Sequence, residues 1–469
     1  MRKINIRRML SSALRKGSLV RMKIRRAVFA PARVMMVGFL LLILLGAWLL
    51  TRPAMSTGEP LTFIDALFTA TSAICVTGLT VIDPGTDLTF LGQLVLLLLI
   101  QVGGLGFMTF GTVLMMALGR RISLSERIML SNVWNEDGLQ GMAKLTMRIF
   151  GIALAIEGTG AVLLMTRMIP LHGLKGVWYS VFHAISAFCN AGFDLAGGFA
   201  FYKNDPVVML VAIALITLGG IGFSVMFDVR KNKGRWKRLS LHSRIVLVMS
   251  LLLTVGGAAL FCVFEWSNPK TLADPRLHPL MKPIAALFQS VTLRTAGFQP
   301  MDQAGLTSPS LLLTLLLMLI GASPASTGGG IKTTTAALLM LLVYNVLRGR
   351  EQVVVGKRTI KNSALVQAVA LTTLALAWML LAYIALALVL PQDMAAQTVT
   401  LLYEVVSAFS TAGTSMGATA GLNTAGKIIL CIVMFTGRVG LMTIAYGLTK
   451  KASRGKNTLA YPEGRVMIG

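Results

Sequence analysis

The chain has 469 residues, of which 55% are hydrophobic and only 13% charged, and it carries a formal net charge of +26. A soluble protein of this size carries about twice that share of charge, so a water-soluble globular domain is excluded and one membrane domain is expected. The basic excess does not signal nucleic acid, because it is confined to a few segments between long apolar runs.

The first 33 residues contain eleven Lys or Arg and no acid. The apolar run that follows is long enough to span a bilayer, so residues 1–33 read as a retained basic cytoplasmic arm on the lipid surface rather than a targeting peptide. Pro31 marks its end. Hydropathy then predicts eight spans, at 34–52, 90–118, 147–170, 206–228, 245–266, 310–346, 366–390 and 425–448. Shorter apolar stretches follow the odd-numbered spans, at 62–74, 177–189, 281–293 and 397–410. A dozen residues are too few to cross, so these are predicted re-entrant half-helices. The chain therefore reads as four repeats (34–118, 119–228, 229–346 and 347–448) between the arm and a cytoplasmic tail at 449–469. Segments 1–33, 119–146, 229–244, 347–365 and 449–469 hold most of the 44 Lys and Arg. The other side holds Asp83, Asp87, Asp205, Asp274, Asp302 and Asp393. The positive-inside rule places both termini in the cytoplasm.

A polar loop follows each half-helix, and the four are alike: TSAICVTGL (71–79), SAFCNAGF (186–193), TLRTAGF (292–298) and SAFSTAGT (407–414). Each contains a glycine in register: Gly78, Gly192, Gly297 and Gly413. Irregular backbone at membrane depth survives only where it is buried in protein or lines water, so four such loops are expected to converge on one axis. The residues beside the glycines are uncharged. They are Val76, Thr77 and Leu79; Asn190, Ala191 and Phe193; Thr295, Ala296 and Phe298; Thr411, Ala412 and Thr414. Uncharged loops with glycine suit a ring of backbone carbonyls that replaces the water shell of a monovalent cation. The half-helix C-termini add a negative dipole end there. Packing glycines at helical turns are the bland alternative, which four copies in register disfavour.

The second helix of each repeat carries its own glycine pattern: QVGGLGFMTFG (101–111), TLGGIGFSVMF (217–227), STGGGIKTTT (326–335) and FTGRVGLMT (435–443). The first two read as glycines that let helices pack closely or bend. The third sits in GASPASTGGGIKTTT (321–335), which no lipid-facing helix tolerates. It is expected to unwind below the loops as a gate built from Gly321, Ser323, Pro324, Ser326, Thr327, Gly328, Gly329, Gly330 and Lys332. In the fourth, Arg438 is either an electrostatic barrier in the pore or half of a structural ion pair.

Other chemistry finds little support. Cys75, Cys189, Cys262 and Cys431 are far apart, in or near apolar segments, and form neither a metal pattern nor a disulfide framework. His172, His183, His242 and His278 scatter, with His183 expected to pack, so no nucleophile–base or metal cluster supports an enzyme. Glu157, inside the third span, reads as a hydrogen-bonded acid rather than a proton relay. An alternating-access carrier for another solute would want inverted or paired repeats, whereas these run the same way. The fold class expected is an all-α polytopic membrane protein with four helix–pore loop–helix repeats around one central pore.

The loops SAFCNAGFDL, TLRTAGF and SAFSTAGT, the break GASPASTGGGIKTTT and the late GRVG together resemble the Trk/Ktr and HKT potassium transporters, over about residues 34–450. The likeness is greatest to the Ktr membrane subunit, KtrB, although the basic arm is long for that type and too short for the extra helix pair of Trk subunits. The resemblance implies potassium uptake through one pore, with Gly78, Gly192, Gly297 and Gly413 as filter glycines. Gly78 fits the potassium pattern, where sodium-favouring plant members have serine. It also implies that 321–335 is an intramembrane gate and Arg438 a pore arginine. It implies a plasma-membrane homodimer with one pore per protomer, controlled by a ring of separate cytoplasmic nucleotide-binding subunits. The C-terminal 459–469 is expected to dock between protomers. The resemblance leaves open passive flux or coupling to sodium or protons, and the alternatives of a Trk-type symporter subunit or a sodium-permeable relative. No cofactor is expected in this chain.

Overall fold

The structure, a computed structural model, describes residues 31–117, 142–350, 352–355 and 358–448. The basic arm before residue 31 and the C-terminal 459–469 lie outside the described residues. By contact the chain divides into a unit of residues 37–441 and a unit of residues 1–36 with 442–469, whose described parts are helical.

Among the described residues, four unbroken helices are long and apolar enough to cross a bilayer: α1 (Pro31–Leu50), α5 (Met142–His172), α9 (Leu241–Glu265) and α13 (Asn362–Val389). They expose aliphatic rows such as Leu41, Leu163, Leu251 and Leu381. In water that would be a liability, but against lipid it costs nothing. Each precedes a half-helix: α2 (Phe63–Cys75), α6 (Lys175–Phe188), α10 (Lys282–Thr292) and α14 (Thr398–Ser410). These match the four stretches predicted as too short to span. Unlike the long helices they are buried over most of their length. Outside the membrane core, turns are built from local caps. Asp205 accepts from the N–H groups of Val207 and Val208, with Pro206 opening the next helix.

The second helices differ from the sequence-based picture. All four are interrupted, not only the third. α3 (Phe90–Leu105) gives way to α4 (Phe107–Ala117) at Gly106, and α7 (Pro206–Ile221) to α8 (Phe223–Lys231) at Gly222. α15 (Thr424–Val439) gives way to α16 (Leu441–Leu448) at Gly440. The three glycines share one conformation, with φ/ψ of 81/131°, 96/136° and 86/131°. This φ is open to glycine and strained for other residues. In the third repeat, residues 320–332 separate α11 (Ser308–Leu319) from α12 (Thr333–Leu347). The packing role predicted for the glycine pairs also holds: a Cβ on Gly103, Gly219 or Gly437 would strike the Ile74, Phe188 or Phe409 carbonyl of the adjacent half-helix. So the first glycines of each pattern dock a half-helix end, and the last one breaks the helix. A two-residue hairpin, β1 (Val354–Val355) with β2 (Arg358–Thr359), precedes α13.

Candidate functional site

The four loops meet in a closed ring. A Cβ on Gly192 would lie 2.7 Å from both the Ala296 carbonyl oxygen and Gly297 Cα. One on Gly297 would lie 3.2 Å from the carbonyl oxygens of Ala412 and Thr77. One on Gly78 would meet the Ala191 carbonyl, and one on Gly413 would collide with that of Thr77. The glycines are thus at backbone contact around one axis, and carbonyl oxygens from all four loops point at them. Each has positive φ: 94° at Gly78, 73° at Gly192, 83° at Gly297 and 81° at Gly413.

A second feature escaped the sequence reading. Two residues before each glycine, a residue with a side chain is also left-handed: Val76 (57°), Asn190 (60°), Thr295 (74°) and Thr411 (52°). Val76, Thr295 and Thr411 cost roughly 1–2 kcal/mol each, and Asn190 less, since asparagine tolerates this region. Strain repeated at one position of four loops is the kind found at functional sites. It turns the chain off the half-helix so that the next carbonyls face the ring.

The loops are braced from behind. Thr77, Ala191 and Ala412 donate backbone N–H bonds of 2.8 Å to the carbonyls of Ser72, Ser186 and Ser407. The same serines add hydroxyl bonds: Gly78 N–H donates to Ser72 Oγ (3.1 Å), Ser186 donates to the Phe193 carbonyl (2.9 Å), and Ser407 to that of Thr414 (2.6 Å). In the third loop Thr292 bonds Phe298 (2.6 Å) from one position later. The signal was present as the serine six residues before three of the glycines. Ser407→Ala is expected to destabilise the fold by on the order of 1 kcal/mol, the worth of one net hydrogen bond, read as a lower thermal midpoint in detergent.

On one side of the ring lies a cavity of about 540 Å³ whose lining includes all four glycines, Asp83, Asp87 and Asp194. Asp83 organises a turn, its carboxylate accepting from Gly85 N–H (2.9 Å). Asp274 is ion-paired at 2.6 Å, and the hydrogen bond from Lys203 with that of Arg276 N–H holds its carboxyl down to about 2. His183 does more than pack. Its Nδ1 lies 2.6 Å from the Tyr179 carbonyl, which only accepts, so Nδ1 carries a proton. Its Nε2 is 3.3 Å from Asp194.

On the opposite side, the segment 320–332 sits against the half-helix ends. Ile320 pairs with Ile331, closing it into a loop. Gly329 N–H donates to Thr411 Oγ1 (3.0 Å), and a Cβ on Gly328 would strike the Thr295 side chain. Thr327 donates to the carbonyls of Gly219 (N–H, 3.3 Å) and Phe188 (hydroxyl, 3.3 Å). Ser323 N–H reaches the Gly220 carbonyl (3.1 Å). Ala325 accepts from Phe223 N–H (3.0 Å) at the Gly222 break, where a Cβ on Gly222 would face the Pro324 carbonyl. Ser326 donates to the Ser323 carbonyl (2.6 Å). Lys332 folds back to donate to the Gly328 carbonyl (2.8 Å). Gly321 lies so close to Gly329 that a Cβ on it would meet the Gly329 carbonyl, and Gly330 has φ of 70°.

Arg438 makes no ion pair among the described residues. Its guanidinium donates to the carbonyls of Thr327 and Gly103, and to Gly104 at 3.4 Å. It therefore bridges the broken segment and the first repeat. Glu157 accepts two bonds from Gln101 (3.1 and 3.0 Å), joining α5 to α3, with Cys189 Sγ at 3.8 Å. Cys75, Cys189 and Cys431 are buried, whereas Cys262 is only half-buried.

Helix, half-helix, loop and broken helix, four times over with the loops on one axis, define a multi-pass membrane transport protein. The chain belongs to the TrkH family of cation transport proteins, whose family model matches residues 4–458. It is 42% identical over 443 residues to the Ktr system potassium uptake protein B of Bacillus subtilis, covering 94% of this chain and 97% of that one. It is 37% identical to the potassium/sodium uptake protein NtpJ of Enterococcus hirae, covering 96% and 100%. The crystal structure of the potassium transporter TrkH from Vibrio parahaemolyticus shares the fold, with a TM-score of 0.68 at 19% identity, over 90% of this chain and 85% of that one. As in these relatives the function is transport, not enzymatic catalysis.

Proposed function

We propose that the chain takes up potassium, and that the ring of carbonyls from residues 76–79, 190–193, 295–298 and 411–414 is its selectivity filter. The observation that carries this reading is the backbone contact of four glycines, each approached by a neighbouring loop's carbonyl oxygen or Cα. Such oxygens substitute for the water shell of a dehydrated cation. Four half-helices add the negative ends of their dipoles, each roughly half an elementary charge. The acids of the 540 Å³ vestibule raise the local cation concentration.

The segment from Gly321 to Lys332 is the gate. It lies beneath the filter, held by the Phe188, Gly219 and Gly220 carbonyls of the second repeat and by Thr411 and Arg438 of the fourth, with Arg438 linking it to the first. Arg438 latches it and also sets a positive charge below the filter. Arg438→Ala takes the guanidinium donor from the Thr327, Gly103 and Gly104 carbonyls, charged hydrogen bonds worth about 1.5–3 kcal/mol each. The expected result is a flux at least tenfold higher at unchanged expression. Thermal stability measured beside flux separates a latch from a purely structural bond.

The basic loops support an orientation with both termini in the cytoplasm of a bacterial cell and the vestibule outside. Each of the four repeats supplies one quarter of the pore. The relative named as protein B of a Ktr system supports a further component as partner; a homodimer working with separate nucleotide-binding subunits is the assembly that the family resemblance implies. The relative named as a potassium/sodium uptake protein supports sodium as a second transported ion; its use as a coupling or activating ion is part of the same proposal. The test is rescue of a potassium-uptake-deficient bacterium at low external potassium, with and without sodium. Growth restored by potassium supports the reading, sodium enhancement identifies the second ion, and no rescue by an expressed, membrane-inserted protein contradicts it.

A further inference from the structure

The break at Gly222 turns α8 by 93° from α7. With α7 along the membrane normal, α8 runs roughly parallel to the membrane plane. Beneath α8, α5 and α7 leave a cavity of about 620 Å³. Small residues, Ala155, Gly160 and Ala214, make room for it, and leucines line its length. The lining from α8 is Met226, Phe227 and Arg230, which share one face of the helix. Arg230 is exposed and begins a basic run continued by Lys231, Lys233, Arg235, Lys237 and Arg238. The acid of α8, Asp228, is turned to α9, bonded to Ser243 Oγ (2.5 Å) and Ser240 N–H (2.9 Å). Among the described residues it therefore leaves the cationic rim of the cavity unopposed.

We propose that this groove binds an anionic phospholipid, one acyl chain lying between α5 and α7 and the phosphate pairing with Arg230. An apolar slot ending at surface-level guanidinium and ammonium groups matches such a lipid in shape and in charge. A zwitterionic lipid gains less from the basic run. The site also touches the gate: Phe223, the first residue of α8, donates to the Ala325 carbonyl. A lipid that braces α8 holds this contact, so its release loosens the gate. This coupling, unlike the binding itself, rests on the gating role proposed above.

Native mass spectrometry of the detergent-solubilised full chain tests the site, with phosphatidylglycerol and phosphatidylcholine titrated separately. Two variants are compared with the parent. R230Q removes the charge, and A214W fills the groove from an exposed position. The parent is expected to hold phosphatidylglycerol at least tenfold more tightly than phosphatidylcholine. R230Q should lower that preference three- to tenfold, and A214W should abolish one bound lipid. Equal retention by the parent and both variants overturns the proposal, as does a disulfide between two copies of A214C, which would mean that protein covers the groove. In phosphatidylcholine vesicles with one-quarter phosphatidylglycerol, parent flux should fall several-fold relative to phosphatidylcholine alone, and A214W flux should not change. Intact lipid retention with indifferent parent flux overturns the coupling alone, and a gate deletion measured in the same vesicles reports separately on the gate.

Discussion

Gly413→Ala is expected to destroy discrimination between potassium and sodium, by tenfold or more in the flux ratio of reconstituted protein. Two effects add. The backbone has φ of 81°, a region that costs a residue with a side chain roughly 1–2 kcal/mol. The new methyl would also fall onto the Thr77 carbonyl oxygen of the first loop, with Gly297 Cα at 3.0 Å. Neither neighbour can yield cheaply, because both belong to the same ring. The carbonyls must therefore separate, and a widened ring no longer compensates the smaller loss of hydration of potassium relative to sodium. Gly417 supplies the control. It has φ of 96°, and a Cβ there meets nothing within 4 Å. Gly417→Ala bears similar backbone strain without the collision, and should keep its selectivity. If both variants lose selectivity together, strain rather than ring geometry is responsible. The same argument makes Gly→Ser at Gly78 or Gly297 unselective.

Deleting Ser326–Gly330 is expected to raise flux by one to two orders of magnitude. The deletion removes the Gly329 bond to Thr411, both Thr327 bonds, and the acceptors of Lys332 and Arg438. Each neutral bond is worth about 1 kcal/mol net, and the charged ones somewhat more. If even a fraction of that sum favours the closed arrangement, its loss shifts the gate equilibrium by 10–100-fold. The fold should survive, because Ile320 and Ile331 already pair and residues 321–325 remain to join them. Unchanged flux at equal expression would remove the segment from the gating account.

The repeat architecture was legible because it is written in residues with few substitutes. Only glycine suits a backbone packed against other backbone, so Gly78, Gly192, Gly297 and Gly413 stand out at spacings of 114, 105 and 116 residues. Half-helix lengths were legible for an equally simple reason, that a dozen apolar residues cannot cross a bilayer. The breaks at Gly106, Gly222 and Gly440 were hidden because the glycines around them also serve close packing, and sequence does not separate the two uses. The third break was visible only because Pro324 and a run of hydroxyls accompany it. Left-handed Val76 carries no sequence mark at all, since its strain is imposed by the surrounding ring. Arg438 was located but not its partners. A buried arginine suggests a carboxylate, and here the partners are main-chain carbonyls 111 and 335 residues away. His183 and Asp194 are brought to 3.3 Å only by the fold of the loop between them.

The most direct measurement is an anomalous-scattering map of the protein crystallised with rubidium or thallium in place of potassium. The account expects a peak on the axis among Gly78, Gly192, Gly297 and Gly413, ringed by the carbonyl oxygens of Thr77, Ala191, Ala296 and Ala412. An empty axis, with the ion bound elsewhere in the chain, would contradict it.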